Sequence, residues 1–183
     1  MIRSLWLILA SALTLSGCAG PIETRLQTDQ MATALSQKNF RLSEVEPLVH
    51  PDLQQARDRI AESLLERGYR SASDAAILVH VALADRPADV AINAGEKETQ
   101  QPLAPAKKQK RFQSCKDREH RLTVTLFDQV RAKMLYSGNA AEYHCKGTVA
   151  QSLPFLVAAA LSGLDQAIAN SPNRATRTRQ GIE

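Results

Sequence analysis

Residues 121–127 alternate without a fault: Leu122, Val124 and Leu126 fall on one face, Thr123 and Thr125 on the other. Such a period-two pattern marks a strand with one face buried. A turn near residues 128–131 leads to a partner strand from Lys133 to about Tyr143. Setting Leu126 against Met134 puts Val124 against Tyr136 and Leu122 against Gly138, with the apolar residues on one face. A slip by one residue would set Val124 against Ser137 and Leu122 against Asn139, which a half-buried sheet disfavours. The first register is therefore expected. Carried outward, it brings Cys115 opposite Cys145, and a disulfide is expected between them. Closing that 31-residue segment stabilises by about 2–4 kcal/mol.

The third cysteine, Cys18, has a different setting. Arg3 supplies a positive start, residues 5–15 an apolar run, and Ser16-Gly17 two small residues before it. This is the layout of a secretory signal, and Leu15-Ser16-Gly17-Cys18 resembles a bacterial lipobox. The resemblance implies cleavage between Gly17 and Cys18, diacylglycerol on the Cys18 thiol and an N-acyl chain on its new amino terminus. No cofactor besides that covalent lipid is expected. An uncut membrane anchor fits less well, because residues 2–16 fall short of the ~20 apolar residues a spanning helix needs. The next cation after Arg3 is Arg25, so no basic stop-transfer flank follows. Ala19 stands where many inner-membrane lipoproteins have aspartate, and by that resemblance the destination is the periplasmic face of the outer membrane. That compartment is oxidising, and with Cys18 consumed the remaining cysteines are even in number.

Removing residues 1–17 leaves 166 residues, one domain's worth. The signal holds one cation and no acid, so the mature chain has 22 Lys and Arg against 19 Asp and Glu. Lys107, Lys108, Lys110 and Arg111 form one basic cluster, the candidate surface contact. Arg174, Arg177 and Arg179 form another near the C-terminus. Outside the cytoplasm such clusters meet lipid phosphates sooner than nucleic acid. With 4% aromatic residues, no base-stacking platform is present, and no nucleic-acid partner is expected.

The boundaries expected are a signal at 1–17, a lipidated terminus and tether at 18–21, a single domain at 22–170 and a disordered basic tail at 171–183. Residues 22–26 and 39–45 alternate as extended segments. Residues 30–37 read as a loop or one helical turn. Pro51 and Asp52 open a helix that Gly68 stops. Leu53, Ala56, Ile60 and Leu64 make its apolar stripe, and Arg57, Arg59, Glu62 and Glu66 lie elsewhere. Residues 75–84 read as a central strand, apolar on both faces, with His80 a hydrogen-bonded core residue. A short strand at 89–92 precedes a mobile loop at 93–114, marked by Gly95, Pro102, Pro105 and the lysines. A closing helix is expected over 153–169, with Ser152 as its cap and Pro154 in its first turn. The fold class is α+β: a two-layer, mostly antiparallel sheet packed against two helices.

Candidate chemistry is sparse. His120 and His144 lie near Cys115 and Cys145, the residue types of a zinc site, but neither spacing matches a zinc motif. Adjacent strand residues such as His144 and Cys145 also point to opposite faces, so no metal site is expected. Ser162-Gly163 and Ser137-Gly138 lack the flanking pattern of a hydrolase nucleophile, and no catalytic residue is identified.

The helix ends in Leu64-Leu65-Glu66-Arg67-Gly68-Tyr69-Arg70, and Ser73-Asp74-Ala75-Ala76-Ile77-Leu78-Val79 enters the next strand. Leu122-Thr123-Val124-Thr125-Leu126-Phe127-Asp128 and Lys133-Met134-Leu135-Tyr136 follow. With a lipobox in front, these segments are similar to the bacterial lipoproteins grouped as domain of unknown function 4136, over about residues 40–170. Here Phe40-Arg41-Leu42-Ser43 replaces an aromatic-rich segment, Val130-Arg131-Ala132 replaces a glycine turn, and a Pro/Lys loop replaces a Gly- and Tyr-rich middle. The resemblance implies no reaction. The expected function is that of a non-enzymatic, membrane-anchored envelope lipoprotein with an envelope protein partner. A periplasmic module binding a small ligand or metal is the alternative.

Overall fold

The computed structural model describes residues 21–30, 37–45, 50–94, 101–109, 113, 115–164 and 173–181. Along the chain run β1 (Pro21–Gln30), β2 (Asn39–Leu42), α1 (Pro51–Glu66), β3 (Arg70–Ser71) and β4 (Ile77–Pro87). Then come β5 (Ile92–Ala94), β6 (Gln101–Ala104), β7 (Arg118–Asp128), β8 (Lys133–His144), α2 (Val149–Ala160) and β9 (Asn173–Gln180). Seven strands form one mixed sheet in the order β3-β2-β4-β7-β8-β1-β9, and β5-β6 make a separate ribbon. β2 runs parallel to β3 and β4, the connection passing through α1. The β4-β7, β7-β8, β8-β1 and β1-β9 pairs are antiparallel.

One face of the sheet is apolar. Leu26, Phe40, Ile77, Val79, Val81, Leu122, Val124, Leu126 and Tyr136 join residues of both helices in one hydrophobic cluster. From α1 come Ala56, Ile60 and Leu64, the expected stripe; from α2 come Leu153, Leu156 and Val157. The other face is open. On β4, Leu78 is half-buried while His80 and Ala82 are exposed. His80 is thus a solvent-face residue beside Thr125, not a core histidine: β4 is interior to the sheet, but only one of its faces is covered.

The hairpin keeps the expected faces but not the expected register. Leu126 pairs with Tyr136, Val124 with Gly138 and Leu122 with Ala140, two residues from the sequence reading, and the register shifts between Leu126 and Phe127. The turn explains this. Asp128 Oδ1 accepts the backbone N–H groups of Val130 and Arg131 at 2.9 and 3.0 Å, and Ala132 takes φ 50° where glycine is usual. The chain re-enters the ladder at Lys133 opposite Asp128, and a bulge absorbs the extra residue. A shift of two preserves inward and outward parity, so the core pattern alone could not choose between the two registers.

α1 begins and ends as expected: the His50 side chain accepts from Asp52 N, and Gly68 takes φ 79° at the stop. Arg57, however, is buried, and its guanidinium donates to the Ser43 carbonyl at 2.8 Å. α2 starts four residues before the expected position. Thr148 caps it, with Gln151 completing a reciprocal capping box. Ser152 is therefore not the cap but a buried side chain one turn in, and Pro154 lies inside the helix.

Two segments read as loop or tail are partly strand. Residues 93–94 and 101–104 of the expected mobile loop pair as strand, joined by Ile92; the short strand expected at 89–92 is therefore displaced, with 89–91 outside any strand and β5 beginning at Ile92. The basic tail supplies β9, which pairs along β1 from Pro21↔Gln180 to Thr28↔Asn173. Its alternating Arg and Thr residues reveal no apolar face to a sequence pattern, since β9 is exposed along almost its whole length. The loop-or-turn segment at 30–37 falls largely outside the described residues, as does the expected end of the last helix beyond residue 164.

Gly138 lets α2 approach β8. A Cβ there would collide with the backbone carbonyl of Ala160, which accepts a hydrogen bond from the Tyr136 hydroxyl. Gly138→Ala is expected to destabilise the fold by about 1–3 kcal/mol, read as a lower urea midpoint at constant slope. An unchanged midpoint would show that α2 can back away freely.

Candidate functional site

Polar side chains gather at the end of the sheet where β1 and β7 begin and β4 and β8 end. They form two clusters, one on each face.

On the helix face, the parity that buries Leu122 and Ala140 also points His120, Glu142 and His144 inward, and all three are buried. The imidazoles of His120 and His144 stack at a centroid distance of 4.7 Å. Ser152 Oγ lies 2.7 Å from His120 Nδ1 and 3.0 Å from His144 Nε2. His144 Nε2 is 2.8 Å from Glu142 Oε2, which also accepts from Arg179 Nη2 at 2.8 Å. The Thr24 hydroxyl donates to Glu142 Oε1. Gly147 closes over the ring: a Cβ there would sit 2.6 Å from His144 Nδ1.

A serine, a histidine and a glutamate in contact invite comparison with a hydrolase triad. In a triad the acid orients one imidazole nitrogen while the other receives the serine proton. Here Ser152 and Glu142 both meet Nε2 of His144, so no relay passes through the ring. Ser152 also has no exposed surface. The cluster is a buried polar bracket joining β1, β7, β8, β9 and α2.

Burial alone would push the Glu142 carboxyl upward. Hydrogen bonds from His144, Arg179 and Thr24, with the Arg179 charge, outweigh it and hold the pKa at about 2. His120 moves the other way: burial first, then the neighbouring His144, lower it below the ordinary imidazole value.

On the open face, Glu119 has no exposed surface although no helix covers it. Arg121 Nε lies 2.6 Å from it, Arg86 Nη2 2.7 Å and Arg25 Nη2 3.4 Å. Arg86 also donates to the Val90 carbonyl. Burial opposes ionisation of Glu119, but the Arg121 hydrogen bond and the three guanidinium charges prevail and lower its pKa. Beside it, the Tyr143 ring is flanked by the Arg25 guanidinium at 4.1 Å and the Lys107 ammonium at 4.5 Å.

Cys115 and Cys145 are joined as a disulfide with Cα atoms 5.5 Å apart. Strict continuation of the observed register would set Cys115 against Gly147. The ladder instead stops at Arg118 and His144, and the short segments beyond it converge. Around the bridge, Gln113 Nε2 lies 3.4 Å from Cys145 Sγ, and Lys107 pairs with Asp117 at 2.6 Å. The basic cluster is thus not one free surface: Lys107 is engaged within the fold while Lys108 is exposed. Lys110, Arg111 and Cys18 lie outside the described residues.

Strand parity applied one pair further along β7 and β8 would have placed His120, Glu142 and His144 inside. Ser152 was missed because the helix start was misplaced. Nothing in the local pattern marks Glu119 as covered, since its partners come from β1, β4 and its own strand. Among the described residues, no group of three or more His, Cys, Asp or Glu side chains is placed to hold a metal ion. No described helix is long and apolar enough to cross a membrane.

No protein-family model and no curated protein matches the chain. Among solved structures, a PDZ-domain protein from Parabacteroides distasonis is similar in fold, with a TM-score of 0.56 at 10% identity. The match covers 92% of this chain and 42% of that one, so this chain spans less than half the length of that protein. PelC from Paraburkholderia phytofirmans, solved as a dodecamer, matches at a TM-score of 0.45 and 17% identity, over 78% of this chain and 97% of PelC.

Acid should dissolve the helix-face bracket in two stages. The folded His120 pKa lies below its unfolded value of about 6.5, so the unfolded chain takes up that proton first and stability falls as pH drops below 6.5. Glu142 adds stability that is complete above about 4.5 and lost toward 2, on the order of 3 kcal/mol. Urea midpoints should therefore decline monotonically on acidification, and Glu142→Gln should shrink the lower stage, leaving the part that Glu119 contributes. A midpoint flat from neutral pH to about pH 3 would contradict the assignment. Separately, Cys115→Ser with Cys145→Ser should cost about 2–4 kcal/mol in equilibrium unfolding.

Proposed function

We propose that this chain is a non-enzymatic envelope lipoprotein. Cys18 carries diacylglycerol and an N-acyl chain, and the domain acts on the periplasmic face of the outer membrane through contact with an envelope protein. The observation that carries this reading is the Leu15-Ser16-Gly17-Cys18 signal standing directly before β1. Only Ala19 and Gly20 separate Cys18 from Pro21, the first residue of the sheet. Three extended residues span about 10 Å, so the charged end of the sheet sits against the headgroups, and several acyl chains on one residue make a stable anchor. We read the architecture as a two-layer, mostly antiparallel α+β sheet carrying two helices on one face. That reading accords with the likeness to domain of unknown function 4136.

In cells fed an alkyne fatty acid, the protein is expected to take up the label and remain in the membrane fraction. Cys18→Ala should take up none and leave that fraction. Retention of an unlabelled Cys18→Ala chain in the membrane would overturn the anchor. The alternative, a small-ligand module, is favoured by one feature, the arginine-lined open face.

A further inference from the structure

We propose that the open face of the sheet binds an oxyanion, a carboxylate or phosphate group, over Asn139 in the groove edged by Arg25, Arg121 and Arg174. The proposal deepens the small-ligand reading and does not depend on the lipid anchor.

The strand registers lay out the floor of the site. In one row, β9 to β7, stand Thr176, Arg25, Ala141 and Arg121; in the next stand Arg174, Gln27, Asn139 and Thr123. All these side chains leave the face opposite the helices. Neighbouring strands lie about 4.8 Å apart, so the Arg25 and Arg121 backbones stand roughly 10 Å apart on either side of β8; their guanidinium groups lean together over the buried Ala141 onto Glu119, and Asn139 in the next row is only partly covered. A groove of about 800 Å³ runs over this floor.

Its charge is unbalanced. Three guanidinium groups, of Arg25, Arg86 and Arg121, converge on the single carboxylate of Glu119, leaving two positive charges in excess at a half-buried spot. Arg174 adds another: it donates to the Gln27 side chain at 3.2 Å and pairs with no carboxylate among the described residues. Asp29, toward the far end, is the single acid among the groove's lining residues. Donors remain free as well. Arg121 uses Nε on Glu119 and Nη1 on the Asn139 carbonyl oxygen, and Arg25 uses Nη2. The remaining terminal nitrogens, Arg121 Nη2 and Arg25 Nη1, have no protein partner among the described residues. Planar forks of this kind match carboxylate and phosphate oxygens bidentately. The few apolar lining residues, Met134 and Ala175 among them, offer no seat for a hydrophobic ligand, so the chemistry selects a polar, acidic one.

Asn139 provides the test. Asn139→Asp is isosteric, keeps the acceptor for Arg121 and places a fixed negative charge where the oxyanion would sit. Residues 19–183, which contain every described element, can be titrated calorimetrically with inorganic phosphate, a galacturonate trimer and a neutral galactose trimer. We expect saturable binding of at least one anion and none of the neutral sugar. Preference for phosphate or galacturonate then identifies the oxyanion. Asn139→Asp should abolish binding while raising thermal stability, and Arg174→Gln should weaken binding about tenfold. Binding of neither anion, equal binding of the neutral trimer, or anion binding undiminished in Asn139→Asp would overturn the proposal. Because the titrated chain carries no lipid, failure here is distinct from failure of the anchor.

Discussion

Two carboxylates buried on opposite faces of one sheet end hold the rest of this structure in place. Glu142 faces the helices and gathers Thr24 from β1, His144 from its own strand and Arg179 from β9. Glu119 faces away and gathers Arg25 from β1, Arg86 from β4 and Arg121 from β7. Strands distant in sequence meet at these two groups, and a buried charge tolerates no loss of partners. The hydrophobic cluster supplies most of the driving force for folding, but it does not reach β9, which is exposed along nearly all of its length. Attachment of that strand rests on its ladder to β1, on the Arg174 hydrogen bond to Gln27, and on Arg179, which reaches Glu142 and lies over the Phe155 ring.

Much of the architecture was legible in the sequence where one face of an element is apolar and the other is not. Leu122, Val124 and Leu126, and Ala56, Ile60 and Leu64, lie where period and stripe predict. Legibility failed where the deciding partner lies outside the element. The hairpin register is set by the Asp128 turn and the bulge beside it, neither visible in a two-strand pattern. β9 has no apolar face to announce it. Ser152 looks like a helix cap by type, yet Gly147 and Thr148 start the helix a turn earlier and carry the serine into the histidine pair.

Cys115 and Cys145 were matched by extending a register that is two residues from the observed one, and they nonetheless meet. They can do so because the ladder ends at Arg118 and His144 and the chain beyond is free to converge. The bridge then fastens the segment bearing Lys107 and Asp117 beside Tyr143. The open face at this end is consequently walled by chain from outside the strands.

The pairing of β1 has a mechanical consequence. This strand starts the described fold and lies between β8 and β9, antiparallel to both. A tug at residue 21 directed along the strand, with the domain held at its far end, loads both ladders at once and in shear. Many hydrogen bonds then share the force instead of opening one after another. Were Cys18 held by the proposed lipid, this arrangement would resist extraction of the domain by its own leading end.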